Sequence, residues 1–186
     1  MFAQLWLPIV LSAVFVFVAS ALINMFLKFW HMPDYRGFAN EEEVAAAIRK
    51  SGATPGAYMM PYCKGHEALK DPAMQEKFKL GPVAHVNIRP SGMMNMGGFL
   101  GQWFVFCLFV SVACAGLAWH ALPAHADSHV AFHTIGLAAL LGYSFGEIPN
   151  AIWRAQPWSM TIKYFIDGVV YAIITAATFC WLWPAA

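Results

Sequence analysis

Five polar residues near the ends of two apolar stretches are the best candidates for chemistry in this sequence: Glu147, Asn150, Arg154, Lys163 and Asp167. Lys163 and Asp167 are spaced as i and i+4, so on a helix their side chains share one face. Charged groups at membrane depth are costly, and they usually face a protein interior or a water-filled cavity. We therefore expect both carboxylates to point inward and at least one ion pair to form with Lys163 or Arg154. The alternative is that these groups are ordinary anchors at the lipid headgroups.

A second candidate is a group of histidines, His125, His129 and His133, whose spacing of i, i+4 and i+8 suits one face of a helix. Imidazole pairs at this spacing bind zinc or copper, although a catalytic metal site usually needs about three protein ligands. Pro123 interrupts the region, so only the last two histidines are securely on one helix. The alternative is that they are polar residues at a membrane boundary.

The third candidate is a cluster of soft ligands, Met59, Met60, Cys63 and His66. Thioether and thiolate groups select Cu(I). Methionine also fills irregular gaps between packed elements, and the chain contains 10 methionines, so part of this clustering needs no metal. We expect no cofactor, and a metal bound by either the histidines or this cluster is the alternative.

Motifs of the common catalytic classes do not occur in the sequence. It contains no phosphate-binding GxxxxGK[ST] loop, no GxGxxG dinucleotide fingerprint, no HExxH zinc motif and no GxSxG nucleophile motif. Nothing therefore predicts hydrolysis, phosphoryl transfer or nucleotide binding. The net charge of +1 also argues against nucleic acid as a partner, because nucleic-acid binding needs a basic face.

Four apolar segments must position these residues, at about 5–27, 97–119, 129–148 and 163–183. A helix rises ~1.5 Å per residue and the hydrocarbon layer is ~30 Å thick, so ~20 apolar residues span it. The chain is 60% hydrophobic and 11% charged, against ~25% charged in soluble domains. The sequence therefore predicts an all-α membrane protein. We expect a four-helix transmembrane bundle that forms a single membrane domain over 1–186, with a small, mostly irregular insertion at 28–96.

Positive charge is distributed asymmetrically along the chain. Nine of the 11 Lys and Arg residues lie in the insertion at 28–96, and the other two, Arg154 and Lys163, lie in the last connection. With four spans, both segments fall on the same face of the membrane, and the positive-inside rule makes that face cytoplasmic, with both termini outside. The eight tryptophans, Trp30 among them, lie near predicted span ends, as expected for interfacial anchors.

Small residues recur at every fourth position on three of the predicted spans, as in Gly168, Ala172 and Ala176. Such stripes allow helix backbones to approach closely in lipid. We expect Gly142 and Gly146 to lie in a helix–helix contact within the bundle. A homodimer interface is the alternative use of such a stripe.

The insertion at 28–96 is predicted to contain two short helices. Asn40 and the three glutamates after it favour the start of one helix, and a second is expected to start after Asp71. The segment 53–63 contains two prolines and a glycine, so we expect it to be irregular. Residues 85–89 alternate weakly, like a short strand.

Two stretches of the sequence resemble known membrane proteins. One is 142–183, GYSFGEIPNAIWRAQPWSMTIKYFIDGVVYAIITAATFCWLW, and the other is 89–104, RPSGMMNMGGFLGQWF. The first resembles the C-terminal helix pair of small four-span bacterial inner-membrane proteins of an uncharacterised family, and the second resembles the entry into their second span. The resemblance implies a location in the bacterial inner membrane and implies no activity.

These observations favour a non-catalytic function, as an accessory, scaffolding or interaction protein of the inner membrane. The alternative is a membrane protein that binds or transports a small solute or a metal, using Glu147, Asp167 or the histidines, and an enzyme that acts on a lipid-phase substrate is the third interpretation. A cavity lined by the two carboxylates would favour the alternative, and a closely packed seam would favour the first function. The expected partners are the lipid bilayer and either further copies of the chain or a larger membrane complex, and no nucleic acid is expected.

Overall fold

A computed structural model describes residues 2–123 and 126–183. It divides into two compact units, a helical unit formed by Met1–Tyr35 with Asn95–Ala186 and an insertion unit formed by Arg36–Met94. The helices in chain order are α1 (Phe2–Phe26), α2 (Lys28–His31), α3 (Glu41–Lys50), α4 (Pro72–Leu80), α5 (Met96–Ala121), α6 (Ser128–Tyr143), α7 (Ile148–Arg154) and α8 (Trp158–Trp181). The strands are β1 (Gly56–Met60) and β2 (Ala84–Ile88), and short 3₁₀ helices occur at Met32–Asp34, His66–Lys70 and Phe145–Glu147.

Three helices are long and apolar enough to cross a membrane, at Gln4–Phe26, Met96–Ala121 and Trp158–Trp181. They coincide with the first, second and fourth predicted spans, so the expectation of a mostly helical chain with long apolar helices is confirmed. Long apolar segments favour helices in lipid because a helix satisfies every backbone N–H and C=O within its own segment.

The third predicted span, 129–148, is not one long helix. α6 has 16 residues and ends at Tyr143. At ~1.5 Å per residue it is about 24 Å long, which is less than the ~30 Å of a hydrocarbon layer. The chain continues through the 3₁₀ helix into α7, which has Pro149 in its first turn. Proline has no N–H to donate and its ring clashes with the carbonyl four residues earlier, so a regular helix does not continue through this position.

α1 packs against α5 and α8, and α6 packs against the same two helices. α6 and α8 approach each other so closely that a Cβ atom built on Gly168 would overlap Oγ of Ser144 and lie 3.0 Å from the carbonyl carbon of Tyr143. Ala172 and Ala176 continue this face of α8 and are buried. The small-residue stripe predicted for α8 is therefore a helix-packing surface.

The two glycines expected in a helix contact differ in their surroundings. A Cβ atom built on Gly142 would lie 3.1 Å from Cγ1 of Val110 on α5, so this glycine lies at a helix contact as predicted. The prediction for Gly146 was wrong, because no described atom outside its immediate neighbours in the chain lies within 4 Å of a Cβ placed there. Gly146 follows the end of α6 and belongs to the 3₁₀ helix, so it has left the contact face.

Buried small side chains make the contact between α1 and α5. Oγ of Ser12 donates to Oγ of Ser111 at 2.9 Å, and both residues are fully buried. Cys107 and Ala115 lie one turn before and after Ser111, and they are fully buried as well. Small residues thus let the two helices approach, which is the packing expected where lipid supplies no hydrophobic driving force.

Both helices predicted for the insertion are present in the insertion unit. α3 begins after Asn40, whose Nδ2 donates to Oε2 of Glu43 at 3.2 Å. α4 begins after Asp71, whose Oδ1 accepts from the backbone N–H of Ala73 at 3.0 Å. The second contact is an N-terminal cap that satisfies one of the free N–H groups of the first helical turn.

The segment 53–63 was expected to be irregular, and that prediction was wrong because it contains β1. This strand pairs antiparallel with β2, so that Gly56 faces Ile88 and Met60 faces Ala84. The whole of β1 is exposed. It therefore lacks the alternation of apolar and polar residues by which a strand is identified in a sequence, and its partner is distant along the chain.

Candidate functional site

A cleft of about 900 Å³ lies in the helical unit, between α1, α5 and α8 and at the end of α6. Both carboxylates singled out in the sequence, Glu147 and Asp167, line it. The other polar or aromatic side chains of its wall are Ser20, Asn24, Trp103, Phe106, Tyr143, Tyr164 and Tyr171. Ala, Met, Leu and Gly residues complete the wall, whose described residues include no Lys, Arg or His.

The cleft exists because α6 is shorter than its neighbours. α1, α5 and α8 have 25, 26 and 24 residues, against 16 in α6. After Tyr143 the backbone turns through the 3₁₀ helix, where Gly146 contributes no side chain to the space. The three longer helices therefore extend past the end of α6 and enclose a volume that it does not fill.

Asp167 is a buried carboxylate of the cleft wall, with 4% of the residue exposed. Its Oδ1 accepts from Nε1 of Trp30 at 2.9 Å, and its Oδ2 lies 2.7 Å from Nε2 of His31. These two atoms share a hydrogen bond, which Nε2 of His31 donates when the carboxylate is ionised. The His31 ring also stacks on Tyr164, with 4.7 Å between the ring centroids. The segment after α1 therefore satisfies both oxygens of Asp167.

The segment 28–35 contacts α8 at two further points. Both oxygens of Asp34 accept from Nζ of Lys163 at 2.9 Å. The hydroxyl oxygens of Tyr35 and Tyr164 are 3.0 Å apart and share a hydrogen bond. This part of the predicted insertion thus belongs to the helical unit, which is consistent with the division of the chain after Tyr35.

Glu147 is bound by two neutral amides. Its Oε2 accepts from Nε2 of Gln156 at 3.2 Å and from Nδ2 of Asn150 at 3.4 Å. Nε2 of Gln156 also donates to Oγ1 of Thr161 at 3.0 Å, which links the connection after α7 to the start of α8. Within residues 2–123 and 126–183, no Lys, Arg or His forms an ion pair with the Glu147 carboxylate.

The structure brings together three of the five polar residues singled out in the sequence. Glu147 and Asp167 share the cleft wall, and Asn150 bonds to Glu147. Lys163 binds Asp34, and Arg154 is exposed at the end of α7. The ion pair expected among the four charged residues is absent from the described part of the chain, so that expectation was wrong. The cations that lie nearest in sequence are not the partners that the fold supplies.

The histidine group is only partly described. His129 and His133 lie on the exposed face of α6, with 6.4 Å between their ring centroids. His125 lies outside the described residues, and so the three-ligand arrangement stays a prediction. Among the residues that the structure does describe, no three His, Cys, Asp or Glu side chains are grouped so that they could hold a metal ion.

The soft-ligand residues are spread over the insertion unit. Met59 and Met60 are neighbours in β1, so their side chains point to opposite faces of the strand pair. Met59 lines a hollow together with His85, its partner across the strands, whereas Met60 lines a separate hollow. Cys63 is half-buried in the loop after β1, and His66 is exposed at the start of a 3₁₀ helix. The fold therefore does not bring the two methionines to one site.

Sequence reasoning missed the partners of Asp167 and Lys163. It treats Trp30 as an interfacial anchor and leaves His31 and Asp34 unassigned. A buried carboxylate needs hydrogen-bond donors from another segment. The polar residues at 28–35, directly after the first apolar segment, were the signal from which such donors could have been predicted. Nothing in the local pattern, however, says that this run meets the last apolar segment.

Comparison with protein-family models, with curated proteins and with solved structures gives no match for this chain. The resemblance to small four-span bacterial membrane proteins therefore stays a prediction. Function has to be argued from the geometry of the cleft.

Proposed function

We propose that this chain is a four-helix integral protein of the bacterial inner membrane that binds a small solute in the cleft. The observation that carries the proposal is that Glu147 and Asp167 line one and the same cleft. Its volume of about 900 Å³ falls within the ~300–1,000 Å³ of typical small-molecule sites. Ionisable groups are costly within membrane helices, and their usual role there is in a solute or ion pathway.

A purely structural role would not require this lining. Helix contacts in a scaffold are made by small and apolar residues, as they are at Gly168 and Ala172 on a neighbouring face of α8. In the cleft wall, by contrast, hydroxyl, amide and carboxylate groups lie among apolar residues around a volume that no side chain fills. An accessory or scaffolding function is the competing proposal, and the second experiment below separates the two.

Four crossings are proposed because α6 runs alongside α8 over its whole length. Sγ of Cys180 lies 3.6 Å from the carbonyl oxygen of Ser128 at one end of α6, and Gly168 meets Ser144 at the other end. An apolar helix in this position occupies the same depth as α8. Its exposed face carries large apolar side chains, as a lipid-facing surface would: Val130, Leu137 and Leu141.

The proposed orientation follows from four crossings and the distribution of Lys and Arg, which makes the side of the insertion cytoplasmic. A cysteine placed at Ser51, in a chain whose Cys63 is replaced, should resist an impermeant thiol reagent in intact cells and react after lysis. Reaction before lysis would reverse the orientation.

Solute binding is tested by filling the cleft. Gly146→Leu adds an apolar side chain to the cleft wall, where no described atom lies within 4 Å of a new Cβ. Gly116→Leu is the matched control, because its position is equally open and does not line the cleft. The ligands are a panel of single-ring aromatic solutes that are neutral, anionic or cationic.

A ligand that binds only the folded protein raises its Tm. We expect at least one solute of the panel to raise the Tm of the wild type and of Gly116→Leu by about 3 °C, which corresponds to ~1 kcal/mol at this size, and to leave Gly146→Leu unchanged. Equal shifts in all three proteins, or no shift with any solute, would reject the cleft as a binding site and favour the accessory function.

A further inference from the structure

We infer that the solute of the cleft is an organic cation, a molecule that carries an ammonium-type positive charge on an apolar body. The inference rests on the proposed function, because it names the class of solute that the cleft binds. Three features of the wall lead to it: a carboxylate without a counter-charge, a circuit of aromatic rings, and a described lining that contains no basic side chain.

The carboxylate without a counter-charge is Glu147. Both of its hydrogen bonds end on Oε2 and come from the neutral amides of Gln156 and Asn150. No bond to Oε1 occurs within the described ranges, and Arg154, a cation in the same connection, is exposed and does not pair with it. Glu147 is half-buried, and a partly desolvated carboxylate is stabilised by a nearby positive charge. A cationic solute in the cleft would supply that charge at Oε1.

Each oxygen of Asp167 already accepts a hydrogen bond, from Trp30 or His31, whereas Oε1 of Glu147 accepts none from the described residues. Glu147 is therefore the carboxylate of the wall that can take a further partner. Asp167 brings a second carboxylate to the same wall, where its direct partners are Trp30 and His31. Glu147 is thus the carboxylate that would contact the solute.

Four aromatic rings of the wall contact one another in a closed circuit. Trp103 contacts Phe106 and Tyr171, with 5.4 and 6.0 Å between ring centroids. Tyr143 contacts the same two rings, at 5.9 and 5.6 Å. Aromatic faces attract cations through their quadrupole, most strongly where water is excluded, and they also bury apolar groups. The circuit therefore suits both parts of an organic cation.

Other classes of solute fit this wall less well. An anion would meet two carboxylates and, among the described lining residues, no basic side chain. A neutral solute would leave Glu147 without a counter-charge. A bare metal ion needs several converging ligands, and no group of three His, Cys, Asp or Glu in the described ranges is arranged to hold one. A single ion would also leave most of the 900 Å³ unfilled.

The test compares two ions of the same shape and opposite charge, tetraphenylphosphonium and tetraphenylborate. Each is titrated by equilibrium dialysis into the full chain in nanodiscs of zwitterionic lipid, and empty nanodiscs give the partitioning background. We expect saturable binding of tetraphenylphosphonium at least about tenfold tighter than that of tetraphenylborate, because the charges of the wall favour one sign. This comparison uses only the wild-type protein, so it tests the cation inference even if a substitution prevents folding.

Two variants assign the effect to the wall. Glu147→Gln should weaken tetraphenylphosphonium binding about tenfold or more, and it should strengthen tetraphenylborate binding if it changes it at all, because it removes a negative charge. Phe106→Leu keeps an apolar side chain and removes one ring of the circuit, so it should weaken cation binding about threefold. Glu67→Gln is the control, because Glu67 is an exposed carboxylate of the insertion unit that pairs with Lys70, and it should change neither affinity.

The possible results separate this inference from the proposed function. Equal affinities for the two ions, tighter binding of tetraphenylborate, or unchanged cation binding in Glu147→Gln would overturn the cation inference and leave solute binding intact. The absence of saturable binding of either ion would also overturn the cation inference. The proposed function would then be tested by the solute panel alone.

Discussion

Two neighbouring faces of α8 meet very different surroundings. One face carries Gly168 and Ala172 and lies so close to α6 that a Cβ atom on the glycine would overlap Ser144. The other face carries Asp167 and Tyr171 and lines the cleft. Successive residues on a helix point ~100° apart, which is why Asp167 and Gly168 are adjacent in sequence and yet belong to different environments.

The size and polarity of the side chains account for this difference. Small residues let two backbones approach until little volume remains, so the α6 face should contribute mainly to stability. Large polar residues need hydrogen-bond partners from other segments. Where such partners are present, the polar side chains occupy the space between the helices and keep them apart. A glycine-to-leucine substitution should therefore have opposite consequences for stability and for solute binding at the α6–α8 contact and at the cleft wall.

The largest loss of stability is expected from Gly168→Leu. The new side chain would overlap Ser144 and the backbone of Tyr143, and neither can move without separating α6 from α8. Overpacking costs ~1–3 kcal/mol and more where backbone must shift, so we expect a loss of about 3 kcal/mol or no folded protein. Unfolding in mixed micelles of increasing SDS content measures the change. Wild-type stability in this variant would show that the two helices are not closely packed in the membrane.

Asp167→Asn should have the next largest effect. One oxygen becomes an NH₂ group, which cannot accept, so either Trp30 loses its acceptor or the proton of His31 moves to Nδ1, which has no partner among the described residues. An unsatisfied buried donor costs ~1–3 kcal/mol, and we expect a loss in that range by the same SDS titration. Glu67→Gln makes the same chemical change at an exposed site and should be silent. If Asp167→Asn also proves silent, the two hydrogen bonds do not hold segment 28–35 against α8.

A smaller effect is expected from Lys163→Met. The side chains of Lys163 and Asp34 are 21% and 6% exposed, so the variant leaves a buried carboxylate without its counter-charge. Partial exposure of the lysine limits the loss to about 1 kcal/mol. Lys70→Met removes a pair whose side chains are 75% and 86% exposed, and it should change stability by less than ~0.5 kcal/mol. Equal losses in the two variants would mean that burial of Asp34 does not matter.

The smallest change in stability is expected from Gly146→Leu, which places the same side chain as Gly168→Leu on the cleft side. No described atom lies within 4 Å of the new Cβ, so we expect a change within about 0.5 kcal/mol. A loss comparable to that of Gly168→Leu would mean that the cleft is closed in the membrane.

Patterns that are local in sequence predicted much of the fold. Continuous apolar runs gave α1, α5 and α8, and Asp71 marked the start of α4 because a cap acts on the next few residues. The predicted extent of the third span was too long, since hydropathy does not register the steric effect of Pro149. β1 was missed because its pairing with β2 is not local.

The candidate site, like the fold, has a part that the sequence predicted and a part that it did not. Glu147 and Asp167 could be singled out because acidic residues beside apolar segments are rare whatever the fold. Their partners could not be, since Asp167 and His31 are 136 residues apart and meet only through the packing of α1 on α8. The aromatic circuit could not be predicted from the sequence either, because tryptophan and tyrosine near span ends are expected as interfacial anchors in any membrane protein.

If α6 crosses the membrane, as proposed, its shortness has a consequence for the lipid around it. A helix about 24 Å long beside helices of about 36 Å creates hydrophobic mismatch on one side of the protein, and a bilayer responds to mismatch by thinning locally. Acyl chains next to Leu137 and Leu141, which are exposed on α6, would have to shorten or tilt while those next to α1 and α5 need not. The stability of the protein should therefore depend on acyl-chain length, and the deformed lipid would lie beside the end of α6, where the cleft begins.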